Sequence, residues 1–179
     1  MANLNPTKVI TGKVRFSYVH VFEPAAVSEG SDDKKYSVSI IISKSDKTTL
    51  KKINDAIEAA KQAGIAKWGG KLPKSLKLPL RDGDAERDEE CYENSYFLSA
   101  KTDRKPGIVD ADLNEIMSRD EFYSGCYGRA SIIFFPFDVN GSKGIAVGLQ
   151  NLQKLEDGER LGGSSASAAD DFGDEDDLS

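Results

Sequence analysis

Cationic side chains interleaved with aromatic rings are the residues in this chain whose types and spacing could do chemistry. Lys13, Arg15 and Tyr18 recur along one stretch, and Lys34-Lys35-Tyr36 open another. Trp68 is flanked by Lys67, Lys71 and Lys74, Arg104-Lys105 sit in a turn, and Tyr127 is followed by Arg129. Cations can follow a row of phosphates, and aromatic faces can stack on unpaired bases, each stack contributing ~1–3 kcal/mol without regard to sequence. Taken singly, each residue reads equally well as a solvated lysine or a core tyrosine. The recurrence of the pairing is what points to single-stranded nucleic acid. On this reading Lys13, Arg15, Lys34, Lys35, Lys71, Lys74, Arg104, Lys105 and Arg129 neutralise phosphates, while Tyr18, Tyr36, Trp68 and Tyr127 stack on bases.

A second set of groups is acidic. Asp82-Gly83-Asp84-Ala85-Glu86-Arg87-Asp88-Glu89-Glu90 could hold Mg²⁺ for phosphodiester cleavage, which makes a metal-dependent nuclease one rival reading. The carboxylates crowd one loop, however, and a calcium loop would need Gly where Arg87 stands. A solvated acidic loop is the reading preferred. Another rival is a protein-interaction module, such as a recombination mediator, whose basic face binds an acidic partner.

Asp170, Asp171, Phe172, Asp174, Glu175, Asp176, Asp177 and Leu178 form an acidic C-terminal stretch behind a Gly/Ser/Ala spacer. With so little apolar surface it is expected to be a flexible interaction tail. The net charge of −6 conceals the asymmetry. Through Leu155 there are 23 cations against 21 carboxylates, and from Glu156 onward nine carboxylates against Arg160 alone, giving +2 and −8. A mildly basic body with an acidic tail suits a groove for an anion and a tail that competes for the groove or reaches a partner protein.

Other chemistry is poorly supplied. Cys91 and Cys126 form no CxxC pair and His20 is the only histidine, which argues against structural zinc and against His-dependent nucleophilic catalysis. Neither a GxxxxGK[ST] loop nor a GxGxxG fingerprint occurs. No cofactor, no metal and no enzymatic activity are expected. With no signal peptide and no apolar run of membrane-spanning length, the chain is expected in the reducing cytoplasm, without a membrane partner.

The elements that must position these groups are mostly strands. Thr7 to Phe22 reads as a long strand stopped by Pro24, with Ile10, Val14, Phe16 and Tyr18 on a core face, Lys13 and Arg15 opposite, and Gly12 marking a bend. Lys35 to Ile42 forms a second strand pairing antiparallel with it. Ser45 or Asp46 caps an amphipathic helix to about Gln62, with Gly64 as its stop. A loop carrying Trp68 follows, then a strand from Tyr96 to Lys101. Gly125 to Phe137 and Gly144 to Leu149 make a hairpin turned at Asn140-Gly141. The sum is a mainly β fold with one inserted helix, an OB-fold-like five-stranded β-barrel over residues 1–155, with 156–179 as linker and tail.

Phe122-Tyr123-Ser124-Gly125-Cys126-Tyr127, Ser142-Lys143-Gly144, Gly148-Leu149-Gln150-Asn151-Leu152-Gln153-Lys154 and Asp157-Gly158-Glu159-Arg160-Leu161-Gly162-Gly163 carry a resemblance. Over nearly its whole length the chain resembles a bacteriophage family, first catalogued as a domain of unknown function and associated with single-stranded DNA binding. The resemblance implies an OB fold and non-sequence-specific binding of single-stranded DNA in phage replication or recombination, in the cytoplasm of the infected host. It also implies recruitment of replication and recombination proteins through the tail, and a homo-oligomer is compatible with it. The chain ends Asp-Asp-Leu-Ser, where the bacterial pattern closes an acidic run with a terminal Phe.

Overall fold

The structure is a computed structural model, and it describes residues 6–26, 34–139 and 141–161. β1 (Lys8–Ile10) and β2 (Val14–Ala26) are two halves of the expected first strand, parted at Gly12, and both lie against β7 (Tyr127–Val139). The Gly12 N–H donates to Thr49 Oγ1 at 3.0 Å, so the bend is docked on the first turn of α1 (Lys47–Gly64).

That bend inverts the alternation of side chains. Val9 and Thr11 are buried before it and Val14 and Phe16 after it, leaving Ile10 exposed. A second register shift, between Ser17 and His20, puts Tyr18 outside. The single core face expected for Ile10, Val14, Phe16 and Tyr18 is thus corrected at both ends, because a one-residue slip moves a side chain to the other face. Pro24 does not stop the strand either. It falls in a further irregularity between His20 and Ala25, where no ladder hydrogen bond is required of it.

β2 pairs with β3 (Lys34–Ser43), β3 with β5 (Ser95–Thr102), β5 in parallel with β8 (Ser142–Glu156), β8 with β7, and β7 with β2. Five strands therefore close on themselves, as an OB-type barrel requires. β4 (Arg81–Asp82) and β6 (Gly107–Val109) are short additions on β5 and β8.

The parallel seam rests on one residue pair, Lys101 with Gly148, and residues 77–82 fill the rest. Lys77 N–H donates to Lys143 O at 3.0 Å and Ile145 N–H to Lys77 O at 2.9 Å. A Cβ at Gly144 would lie 2.5 Å from Lys77 O, so this glycine serves the seam and not the turn. The turn itself is as expected, with Val139 opposite Ser142 and Gly141 at φ +82°.

Inside the barrel Phe16, Ile40, Ile42, Leu98, Ile132, Phe134 and Leu152 are all buried. Helix α1 packs Leu50, Ile53, Ala56, Ile57 and Ala60 into this core. Asp46 caps it, accepting from the Thr49 N–H at 3.1 Å. α1 ends at Gly64 as expected, but a further turn follows in which the Trp68 N–H donates to Gly64 O at 3.0 Å, so the apolar spacing of Ala60 and Gly64 runs on to Trp68. A Cβ at Gly64 would sit 2.7 Å from the Trp68 ring, so the missing side chain makes room for the indole.

A smaller cluster of Ile41, Tyr92 and Phe97 lies outside the barrel on β3 and β5. The 3₁₀ turn Glu90–Tyr92 covers it, and the Tyr92 hydroxyl is 3.0 Å from Ser39 Oγ. At the other end of the chain, the Gly158 N–H donates to the Tyr123 hydroxyl and the Leu161 N–H to Ser124 O. The hydrogen-bonded body thus continues to Leu161, past the boundary at 155. The tail residues Asp170, Asp171, Phe172, Asp174, Glu175, Asp176, Asp177 and Leu178 lie outside the described residues.

Candidate nucleic-acid interface

Tyr18 stands at the middle of the outer face of β2. It is 48 % exposed although it follows two buried residues, and its φ of +48° is left-handed, a conformation a tyrosine adopts only at a cost. Bulges that re-aim a side chain recur at functional sites. The hydroxyl of Tyr18 donates to Glu89, with oxygens at 3.1 and 3.2 Å, and Arg87 lies 5.9 Å from its ring centroid. Partial burial, then the bond to Glu89, raises the phenol's pKa, so the ring stays neutral.

On one side of Tyr18 lies a first cationic group. Arg15 Nε donates to Gly125 O at 3.1 Å and its Nη2 to Glu159 O at 2.9 Å, and the guanidinium lies 5.2 Å from the Tyr127 ring centroid. Two carbonyls aim this guanidinium and leave its charge for an anion. Lys13 Nζ lies 5.4 Å from the same ring but is paired with Glu156. Arg129, two residues along β7 from Tyr127, donates from Nε to Thr11 O at 3.0 Å.

On the other side lies a second group. Lys34 and Lys35 open β3 opposite Ala26 and Ala25, and Tyr36 pairs with Thr102, next to the turn that carries Arg104 and Lys105. Lys105 Nζ is 5.3 Å from the Phe22 ring centroid, and Lys35 is 3.2 Å from Asp103. Between the groups the outer row runs through His20, Ser37 and Lys101. Arg15 sits opposite Ile41, and Lys35 lies six steps along β3 from Ile41, about 20 Å of track at the rise of a strand.

Three expected site residues lie elsewhere. Trp68 is 5 % exposed and donates from Nε1 to Phe137 O at 3.0 Å, so it fills the core and stacks on nothing. Sequence spacing held the signal, because Trp68 continues the apolar stripe of α1 past its expected end. Lys71 and Lys74 are exposed on the segment leading to Lys77, which bonds at the β7–β8 hairpin. Lys77 bridges to Gly144, whose partner Phe137 lies ten residues along β7 from Tyr127, about 33 Å along the strand. The structure does not bring these two lysines to the track.

Arg87, Glu89, Phe22 and Arg160 lie within this candidate site although the sequence reading gave them no part in binding nucleic acid. Arg87 is the one cation within the acidic run Asp82 to Glu90, and it lies over Phe97 at 4.9 Å as well as over Tyr18. Arg160 lies 4.2 Å from the Tyr123 ring centroid. With Lys13, Arg15, Tyr127, Glu89 and Cys91 it lines a cleft of ~760 Å³ beside Tyr18. Burial, then the charge of Glu89, pushes the Cys91 thiol up.

The acidic run does not converge on a metal. Lys44 Nζ bonds Asp82 and Asp84, each at 2.8 Å, and holds both carboxyls below the usual range. Glu86 pairs with Arg81 at 2.7 Å. Among the described residues no three His, Cys, Asp or Glu side chains are placed to share an ion, and no helix is long and apolar enough to cross a membrane.

The family described as Enterobacter phage Enc34, ssDNA-binding protein, matches residues 7–179. A putative protein p50 of Acyrthosiphon pisum secondary endosymbiont phage 1 is 30 % identical over 177 residues, covering 93 % of each chain. Among solved structures, the single-stranded DNA-binding protein of bacteriophage Enc34 in complex with ssDNA superposes with a TM-score of 0.75 at 27 % identity, over 87 % of this chain and 90 % of that one. The bacteriophage T7 single-stranded DNA-binding protein gp2.5 shares the fold, with a TM-score of 0.62 at 16 % identity, over 94 % and 93 %.

Proposed function

The chain belongs to the family of the Enterobacter phage Enc34 single-stranded DNA-binding protein, and from that premise we propose that it binds single-stranded DNA in phage replication and recombination along the outer face of β2, β3 and β5. The observation that carries the placement is Tyr18, a half-exposed ring held outward by a left-handed backbone between two cationic groups. Arg15 and Arg129 at one end, and Lys34, Lys35, Arg104 and Lys105 at the other, contact phosphates. Tyr18 stacks on a base, with Tyr127 at one end of the strand's path, whereas Tyr36 shares the parity of Val38 and Ile40 and falls on the inward side of β3. Every base has an aromatic face, so the binding is sequence-tolerant.

The acidic tail competes with DNA for these cations in the free protein and recruits replication or recombination proteins once displaced. Charge complementarity between the −8 C-terminal stretch and the cationic track supports this role. The protein acts by binding and carries out no chemistry on the strand.

Titration of a fluorescent oligo-dT by anisotropy across a salt series, with duplex of equal length as competitor, tests the assignment. Six phosphates held by Arg15, Arg129, Lys34, Lys35, Arg104 and Lys105 predict a slope of log K against log salt of roughly −4. Binding that duplex displaces as readily as single strand, or that ignores salt, would refute it.

A further inference from the structure

Glu89 presents a difficulty for a site that takes a polyanion. Its carboxylate is bonded to the hydroxyl of Tyr18, and with Glu90 it lines the same cleft as Arg15 and Arg160. A carboxylate in such a place could swing aside when DNA arrives, but the segment that bears it is tied down on both sides. Upstream, Asp82 and Asp84 are bonded to Lys44, and the Asn94 N–H reaches back to Asp84 Oδ1 at 3.0 Å. Downstream, fully buried Tyr92 is bonded to Ser39 and packs on Phe97 with ring centroids 5.1 Å apart. Arg87 between them lies on Tyr92 and Phe97. The backbone that carries Glu89 and Glu90 is therefore held at the edge of the cleft, and their charge stays beside Tyr18 whichever rotamers they adopt.

We propose that Glu89 and Glu90 form an acidic wall that orients the strand and selects single-stranded DNA against duplex. The proposal rests on the function assigned above and deepens it. A single strand has one row of phosphates. It can lay that row toward Arg15 and Arg160 while its bases, stacking on Tyr18, turn their free edges to the wall. There the carboxylates accept from exocyclic amino groups such as N4 of cytosine and N6 of adenine. In a duplex those edges are engaged, and the second phosphate row would face Glu89 and Glu90, a like-charge contact that is strongly unfavourable. The wall thus penalises the second strand and also gives bases with an amino group an advantage over thymine.

The test is the double variant Glu89→Gln with Glu90→Gln, which keeps shape and acceptor oxygens and removes the charge. Both side chains are exposed, so the fold is retained, and a thermal melt checks this. Asp55→Asn with Glu58→Gln on the outer face of α1 removes the same two charges and controls for overall charge. The wall predicts that duplex affinity of the double variant rises about tenfold while oligo-dT affinity changes less than about threefold, with the control leaving the ratio as in wild type. It also predicts that the preference of wild type for oligo-dC over oligo-dT shrinks in the variant. Wild-type binding of oligo-dT with an unchanged ratio, or equal gains for both ligands, would overturn the inference alone. Absence of wild-type binding to oligo-dT would overturn the proposed function and the inference with it.

Discussion

Replacing Tyr18 by glycine should separate binding from stability more cleanly than any other single change. In the folded protein Tyr18 is 48 % exposed, so little apolar burial is lost. Its φ of +48° costs a non-glycine residue about 1–2 kcal/mol, which glycine recovers. Against this stand the extra unfolded-state freedom of glycine, roughly 0.5–1 kcal/mol, and an exposed hydrogen bond to Glu89 of about 1 kcal/mol. These nearly cancel, so stability should move by no more than about 1 kcal/mol, or roughly 2–4 °C in Tm for a domain of this size. Binding loses a base stack of about 1–3 kcal/mol, which is roughly 5- to 150-fold in Kd. Oligo-dT anisotropy and thermal denaturation on the same preparation read both quantities. Tyr18→Phe keeps the ring and should bind within about threefold of wild type. A Tyr18→Gly protein with wild-type Kd and an unshifted Tm would refute the role given to this ring.

Other positions make independent predictions. Trp68→Ala should cost on the order of 3–5 kcal/mol of stability by opening a core cavity, yet folded Trp68→Phe protein should bind DNA as wild type does; an affinity loss at full folding would restore Trp68 to the interface. Arg15→Met and Lys105→Met should each reduce the salt slope by about 0.7, measured in the same titration, whereas Lys71→Met should leave it unchanged. Oligo-dT should slow alkylation of Cys91 in the cleft, and Cys126, fully buried, should be unreactive with or without DNA; unprotected Cys91 would place the strand elsewhere. Asp82 and Asp84 titrate below their usual range because of Lys44, so the stabilisation they contribute is present above the unfolded carboxyl pKa of about 4 and is lost as pH falls below it. Lys44→Met should flatten the fall of Tm between roughly pH 4 and pH 2, and equal slopes for the two proteins would remove the ion pairs from the account.

Much of the barrel can be read in the chain because strand and helix periods are local. Val38, Ile40 and Ile42 announce an inward face by alternation, Asp46 caps α1, and Gly141 turns the last hairpin. Where the local period is interrupted, reading fails. A residue count carried across Gly12, or past the shift after Ser17, assigns Ile10 and Tyr18 to the wrong face. Trp68 is misplaced when the apolar stripe is ended with the helix at Gly64, because the stripe runs one turn further and Gly64 leaves room for the indole.

By itself the sequence determined the class of fold, the helix start and the asymmetry of charge, which rest on composition and on neighbours within a few residues, while its motifs between Phe122 and Gly163 carried the resemblance to single-stranded DNA-binding proteins. Tertiary structure alone decided which cations are available and which aromatic ring is offered. Lys44 is occupied by Asp82 and Asp84, and Lys13 by Glu156, whereas Arg15 is held by carbonyls and keeps its charge for a ligand. Such pairings join residues up to 144 positions apart. Electrostatics acts through space, and only closure of the barrel sets the distances over which it acts.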